Sequence, residues 1–142
     1  MSSATAATSD QPVCTVASLD HLVLTVRSLP DTIAFYTEVL GMEHQSFTSP
    51  SDPDTTRHAL VFGSQKINLH QAGKEFEPKA RTALPGTADL CFLVRDDVDE
   101  VLKRMGERGI EVLEGGHVVK RTGARSSLKS VYVRDPDGNL IE

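Results

Sequence analysis

The stretch HLVLTV at residues 21–26 decides the fold, because an equally apolar stretch, DLCFLV, follows at residues 89–94. Apolar and polar side chains alternate along the first stretch, and this period of two is typical of a β-strand with one buried face. The second stretch starts 68 positions after the first (89 minus 21). NLIE (139–142) follows INLH (67–70) at a spacing of 72 (142 minus 70). Two spacings within four residues of each other indicate an internal duplication.

Each half of the chain predicts one helix and several strands in the same order. In the first half Ser28 caps a helix that Gly41 ends, and in the second half Asp97 caps a helix that Gly109 ends. The polar segment TSPSDPDTTR (48–57) is predicted to be a loop. Short apolar runs between turn residues predict the remaining strands, which are Glu43–Thr48, His58–Phe62, Lys66–Gln71, Glu111–Leu113, Ser130–Arg134 and Asn139–Glu142.

This pattern predicts an α+β fold of two βαβββ modules that pair to close one core. The modules are predicted at residues 18–72 and 87–142, with an irregular linker at 73–86 and a disordered leader at 1–17.

Composition and charge exclude several classes of function. The chain has 142 residues, which suits one domain with its own core. Its net charge is −5 and its basic residues are scattered, so nucleic acid is not expected as a partner. It has no apolar run of roughly 18 residues, so no membrane span is expected. The leader also lacks the basic and apolar regions of a secretory signal.

The two cysteines indicate a compartment. Cys14 lies in the leader and is predicted to be exposed, whereas Cys91 lies in an apolar strand pattern and is predicted to be buried. A disulfide between them is therefore not expected, and a reducing compartment such as the cytoplasm fits best.

The duplication brings four polar residues to equivalent places. His21 and Asp89 begin the first strand of each module, while His70 and Glu142 stand at the same place in the last strand. Two imidazoles and two carboxylates are donors that suit a divalent first-row metal, and the carboxylates balance the charge of a +2 ion. Taken singly, each residue is more simply an ordinary surface side chain, so only the symmetry favours a shared site. The histidines without a symmetric partner are expected to be ordinary residues: His44, His58 and His117.

Longer motifs resemble one superfamily. LDHLVLTV and FYTEVLGM (within 19–42), INLHQ (67–71) and VYVRDPDGNLIE (131–142) are similar to the vicinal oxygen chelate superfamily. That superfamily includes glyoxalase I, fosfomycin-resistance proteins, bleomycin-binding proteins and extradiol dioxygenases. Within it, FGSQKINLHQAGKEFEPKA (62–80) and RTGA (121–124) resemble most the group of glyoxalase domain-containing protein 5. The resemblance implies that each module forms a half-open, cup-shaped sheet and that a metal lies between paired sheets.

The resemblance also implies a metal site and a type of reaction. Carried over by position, it implies that His21, His70 and Glu142 bind a divalent ion (Zn, Ni, Mn or Fe). Asp89 stands where many relatives have His, and it is a fourth ligand, a partner that orients an imidazole, or the base. The implied function is that of a glyoxalase-like lyase or isomerase acting on a small substrate with two adjacent oxygens. Glu142 or Asp89 would be its general base.

Two other functions use the same residues. An Fe(II) dioxygenase needs open positions on the metal, which three ligands leave, but ring-cleaving members are commonly about twice this length. A non-catalytic protein would sequester a small molecule in the same cleft, as bleomycin-binding relatives do, although these usually lack the His/His/Glu set. Members are commonly dimeric through pairing of modules between chains, so a homodimer is expected.

Side chains outside the metal set are candidates for substrate binding. They lie on the linker, on a later loop or in the expected cavity wall, and they are Lys74, Arg81, Arg121, Arg125 and Tyr132. The cationic ones would meet an anionic substrate, although solvated loop charges are the simpler interpretation of each.

Overall fold

The computed structural model describes residues 10–142, so residues 1–9 of the predicted leader lie outside the described residues. The helices in the described part are α1 (Leu29–Ala34), which continues as a π-helical turn at Phe35–Val39, and α2 (Val98–Glu107). The strands are β1 (His21–Val26), β2 (Glu43–Ser49), β3 (Asp52–Phe62), β4 (Gln65–Gln71), β5 (Asp89–Leu90), β6 (Val119–Thr122), β7 (Ser127–Ser130), β8 (Val133–Arg134) and β9 (Leu140–Ile141). No helix within residues 10–142 is long and apolar enough to cross a membrane.

Both helices begin at the residues that the sequence predicts. The Ser28 hydroxyl accepts a hydrogen bond from the N–H of Asp31 at 3.2 Å, and Pro30 stands in the first turn, where its missing N–H costs nothing. At α2, Asp97 accepts a hydrogen bond from the N–H of Asp99, also at 3.2 Å. The helix starts are therefore set by local side-chain caps.

The first module forms one sheet with the strand order β1-β4-β3-β2. β1 runs parallel to β4, and the other neighbouring strands are antiparallel. Alternation along β1 buries Leu24 and Val26 in the core and leaves His21 and Val23 exposed on the opposite side. One side of this sheet is therefore free to build a site.

The second module repeats this arrangement with shorter strands. β5 runs parallel to β9, as β1 does to β4, and β9 is antiparallel to β8. β6 and β7 form a separate antiparallel pair. The predicted strand Ser130–Arg134 is divided between β7 and β8. β7 begins before the predicted start, and the residues between β7 and β8 are not part of a strand. The predicted α+β class, with two βαβββ modules and open mixed sheets, is confirmed.

Two local predictions of secondary structure are wrong, one of a loop and one of a strand. The segment 48–57 is mostly strand, because β2 and β3 remain paired as far as Ser49 and Asp52 and leave only a tight turn between them. The β-branched pair Thr55 and Thr56 suits an extended backbone. Glu111–Leu113 is not a strand, because the chain bends directly afterwards at glycines with positive φ.

The predicted burial of Cys91 is also wrong. The run of residues 88–95 reads as a strand, and backbone hydrogen bonds to Glu142 continue the pairing of β5 as far as Phe92. Leu90 and Phe92 pack against the core, so Cys91 between them lies on the opposite side and is exposed. Both Cys14 and Cys91 are free thiols in this structure.

One hydrophobic core joins the two modules. The same cluster of buried side chains draws on both halves of the chain, with Leu24, Leu60, Ile67, Met105, Val133 and Ile141 among its members. The rings of Phe62 and Phe92 meet edge to face across the modules, with centroids 5.4 Å apart. Neither module therefore buries its apolar face alone.

A buried hydrogen-bond network centred on Asp135 also connects the modules. The Tyr36 hydroxyl, from the first module, donates to Oδ2 of Asp135 at 2.7 Å. The other oxygen, Oδ1, accepts the backbone N–H groups of Asp137 and Asn139 at 2.9 Å each. Oδ1 of Asn139 in turn accepts the N–H of Ala88 at 2.8 Å, directly before β5. Burial, followed by the hydrogen bond to Asp135, raises the pKa of Tyr36, so the phenol stays protonated and can donate.

Replacing Tyr36 with Phe is expected to lower the free energy of unfolding by about 1–3 kcal/mol, because a buried carboxylate oxygen loses one of its two donors and keeps only the Asn139 amide. Urea denaturation followed by circular dichroism measures this loss. The control is Ser49→Ala, which removes a surface hydrogen bond of 2.9 Å between the Ser49 and Ser51 hydroxyls. That change should cost less than about 0.5 kcal/mol. Equal losses in both variants would contradict the structural role of Tyr36.

Candidate functional site

Alternate residues of the first sheet form a mixed polar and apolar surface on the side opposite the core cluster, in which Thr25 and Ala59 are buried. Strand pairing sets these residues side by side, because Thr25 is paired with His70 and Ala59 with Asn68. We call this surface the open face of the first sheet. It consists of His21, Val23, Thr25, Arg57, Ala59, Val61, Lys66, Asn68 and His70.

The second sheet has a corresponding surface that carries Glu142. Asp89 is paired with Leu140, and one step past the last pair of the ladder Cys91 lies beside Glu142. Two backbone hydrogen bonds of 2.8 Å continue the ladder there, from Glu142 N–H to the Leu90 carbonyl and from Phe92 N–H to the Glu142 carbonyl. Asp89, Cys91 and Glu142 therefore share one side of this sheet, which we call the open face of the second sheet.

The strand register identifies the counterpart of Glu142 in the first module. Cys91, two positions after Asp89, lies beside Glu142; Val23, two positions after His21, is paired with Asn68. Asn68 is therefore the residue equivalent to Glu142, and the alignment of INLH with NLIE is off by two residues. His70 keeps the same face because the side-chain period of a strand is two.

The ring of His21 is held by a hydrogen bond to its neighbour Asp20. Its side chain is 44% exposed at the start of β1, and Nδ1 lies 2.8 Å from Oδ2 of Asp20. A carboxylate on Nδ1 fixes the tautomer and leaves Nε2 as the nitrogen for a metal.

His70 lies half-buried in the wall of a cavity. Its ring meets the edge of Phe76, with centroids 5.1 Å apart. Burial lowers the pKa of His70, the positive charge of Arg57 lowers it further, and Glu75 raises it. The imidazole is therefore neutral at pH 7 and able to accept a hydrogen bond. The cavity has a volume of about 660 Å³, and Asp89 and linker residues 78–84 also line it.

Glu142 lies among groups that can exchange protons. Its Oε2 accepts a hydrogen bond from the Ser130 hydroxyl at 2.7 Å. Burial raises the pKa of the Cys91 thiol, and the Glu142 carboxylate beside it raises that pKa further. Burial also raises the pKa of the Tyr132 phenol, which the hydrogen bond from Arg121 lowers in part. The carboxylate therefore faces neutral hydroxyl and thiol groups.

The predicted metal ligands do not meet within one chain. His70 and Asp89 line the same cavity, whereas Glu142 lines a smaller one of about 150 Å³ with Cys91 and Ser130. In the part of the chain that the structure describes, no group of three or more His, Cys, Asp or Glu side chains is close enough to hold a metal ion. The sequence symmetry thus identifies equivalent positions without bringing them to one point in a single copy.

The predicted substrate-binding residues are divided between two places. Arg121 donates from Nε to the Tyr132 hydroxyl at 3.1 Å, on the side of Glu142. Lys74 and Arg81 are exposed on the linker, and Arg125 is exposed on the loop between β6 and β7. Arg121 and Tyr132 are therefore coupled to the second open face, and the other three are surface charges in this structure.

Sequence reasoning missed Arg57. The segment that ends at Arg57 reads as a loop, but the residue lies inside β3 on the open face of the first sheet. Its guanidinium carbon lies 4.0 Å from the centroid of the Phe76 ring. The alternation of Arg57, Ala59 and Val61 with His58, Leu60 and Phe62 was the available signal.

Comparison with known families gives one match along most of the chain. The sequence profile of the Glyoxalase/Bleomycin resistance protein/Dioxygenase superfamily matches residues 18–142.

Individual relatives are similar over nearly the same range. The chain is 54% identical over 127 residues to glyoxalase domain-containing protein RDO1 of Mycosarcoma maydis, covering 89% of this chain and 67% of that protein. It is 50% identical over 124 residues to virulence protein STM3117 of Salmonella typhimurium, covering 87% and 81%. Among solved structures, an integron cassette protein of V. Cholerae has a TM-score of 0.81 and 48% identity, covering 91% and 94%.

Replacing Arg57 with Gln is expected to raise the pKa of His70, because the guanidinium charge disfavours the imidazolium. The pKa should stay below its ordinary value, since burial is the larger cause and remains. NMR titration of the imidazole signals measures the shift. Lys74→Gln, at an exposed position, is the control and should leave it unchanged. An unchanged pKa in Arg57→Gln would show that the two side chains do not interact.

Proposed function

Because the chain belongs to the glyoxalase/bleomycin resistance protein/dioxygenase superfamily, we propose that it is a metal-dependent enzyme. It acts as a glyoxalase-like lyase or isomerase on a small substrate with two adjacent oxygens. The observation that carries this proposal is the repeated register, which puts His21 and Asn68 of one sheet at the same places as Asp89 and Glu142 of the other.

The residues at these places fit a divalent cation. They offer one imidazole nitrogen and three side-chain oxygens, a donor set that suits Zn, Ni, Mn or Fe. Oδ1 of Asn68 is buried and has no hydrogen-bond partner within the described residues. A buried oxygen without a donor is costly, and a cation nearby would satisfy it.

His21 and Glu142 are the principal proposed ligands, with Asp89 and Asn68 beside them. His70 is a weaker candidate. It lies four residues beyond the partner of His21 in β4, which is about 13 Å along the strand. Ligand nitrogens lie about 2.1 Å from a zinc ion, so His21 and His70 of one chain are too far apart to share it. We assign His70 to the substrate-facing wall.

The chain's own groups supply the proton transfers. Asp20 holds His21 in one tautomer, and the Ser130 hydroxyl orients the Glu142 carboxylate. Glu142 or Asp89 then acts as the general base that removes a proton next to the substrate oxygens. When bound, the ion supplies Lewis acidity to those two oxygens.

We also propose that two copies complete the site as a homodimer. The segment after β5 exposes apolar side chains, with Leu93 84% and Val94 52% exposed, and Val23 on the first open face is 45% exposed. Such apolar surface is typical of an interface. Pairing His21 of one copy with Glu142 of the other would assemble ligands that one chain keeps apart. Exposed free thiols at Cys14 and Cys91 fit a reducing compartment such as the cytoplasm.

Metal analysis of purified variants tests the site. The unmodified protein should carry about one ion per chain, and His21→Ala and Glu142→Ala should each lose it, because each removes a ligand. Asn68→Ala should weaken binding more than His70→Ala does. His44→Ala, at an exposed histidine outside the open faces, is the control and should retain the ion.

Mixing the His21→Ala and Glu142→Ala proteins tests assembly between copies. Random exchange of subunits restores about a quarter of the sites when each site draws on both copies, and none when it lies in one chain. An unmodified protein without metal would overturn the enzyme proposal and leave a sequestering protein. If the protein contains iron and consumes oxygen when catechols are added, it is a dioxygenase and the lyase proposal is wrong. Turnover of 2-oxoaldehyde hemithioacetals would support the lyase.

A further inference from the structure

Arg57 is a cation without an anion. Its Nε is buried and has no hydrogen-bond partner within the described residues. Among the ion pairs of residues 10–142, none includes Arg57. A buried guanidinium nitrogen without an acceptor is costly, so such groups are usually matched by a carboxylate or phosphate.

The carboxylate that interacts with His70 is engaged by other groups. Glu75 interacts with His70, but its own oxygens accept the N–H of Gly73 at 2.6 Å and face the Lys79 ammonium at 3.5 Å. Glu75 therefore does not neutralise Arg57.

Aromatic packing holds the guanidinium in place. Phe76, from the linker, lies 4.0 Å below the Arg57 guanidinium carbon and also touches the edge of the His70 ring. A stacked guanidinium keeps its edge donors free for an acceptor in its own plane. His70 lies opposite Arg57, one step past the last assigned pair of β3 and β4, so no acidic side chain occupies that position.

We propose that Arg57 and Phe76 form an anion-binding subsite at the open face of the first sheet, so that the substrate carries a carboxylate or phosphate. This proposal rests on the proposed function, because it extends the same open face. Arg57 is one strand across from β4 and two residues along from Asn68. These steps separate the Cα atoms of Arg57 and Asn68 by about 8 Å, and we take this as the approximate spacing between the anionic group and the chelating oxygens. The substrate is thus longer than a bare two-carbon or three-carbon dicarbonyl.

A matched pair of ligands tests the subsite. The probes are 3,4-dihydroxyphenylacetate, which has two adjacent oxygens and a distant carboxylate, and its neutral amide. Calorimetric titration of the zinc-loaded protein should show the acid binding at least about 10-fold more tightly than the amide. Arg57→Gln should abolish this preference, while Arg125→Gln, which removes a charge from an exposed loop, should keep it.

The outcomes separate the two proposals. Equal affinities for acid and amide that both depend on zinc would overturn the subsite and leave the metal site standing. A preference for the acid that persists without metal would support the subsite and count against the metal site. If Arg57→Gln does not fold, Arg57→Lys keeps the charge but loses the planar fork, and it should reduce the preference about 2–5-fold. If both Arg57→Lys and a folded Arg57→Gln keep the full preference for the acid over the amide, the proposed role of Arg57 is overturned.

Discussion

The buried hydrogen bond between Tyr36 and Asp135 is the interaction on which the arrangement of the two modules depends. Asp135 collects donors from its own turn and from the helical turn of the other module. Asn139 extends this network to Ala88, so the turn before β9 and the start of β5 are fixed together. Asp89 directly follows Ala88, and Glu142 directly follows β9. The network around Asp135 therefore determines the positions of both candidate acids. A buried network of this kind favours one relative placement of the modules.

The two open faces follow from the same duplication but differ in chemistry. The first presents His21, Asn68, His70 and Arg57, whereas the second presents Asp89, Cys91 and Glu142. Basic and neutral donors thus lie on one sheet and acidic groups on the other. Joining the faces would put a cation between nitrogen and oxygen donors, with a guanidinium farther along for an anionic substrate. This division explains why a single sheet does not hold the metal set and why contact between faces is proposed.

The fold was predictable from local patterns, and the site was predictable only in part. Alternation, helix caps and the repeat give the two modules, because each depends on neighbours in sequence. The register of β4 against β1 is not local, since it depends on loops whose lengths differ between modules. For that reason the sequence alignment matched Glu142 with His70. The structural counterpart of Glu142 is Asn68, two residues earlier on the same face. Arg57 was missed because Asp and Pro residues before it mark a turn more strongly than Thr55 and Thr56 mark a strand. The exposure of Cys91 depends on which side of the second sheet faces the core, which its own apolar neighbours do not reveal.

The central claim is that equivalent positions of the two sheets share one metal ion. Crystals of the zinc-loaded protein, measured at the zinc absorption edge, test it most directly. The account predicts an anomalous peak bounded by His21 of one copy and by Asp89 and Glu142 of the other, within about 2.3 Å of their ligand atoms. A peak located instead at the exposed pair His44 and His58, whose ring nitrogens lie 2.9 Å apart, would contradict it, as would no peak at all.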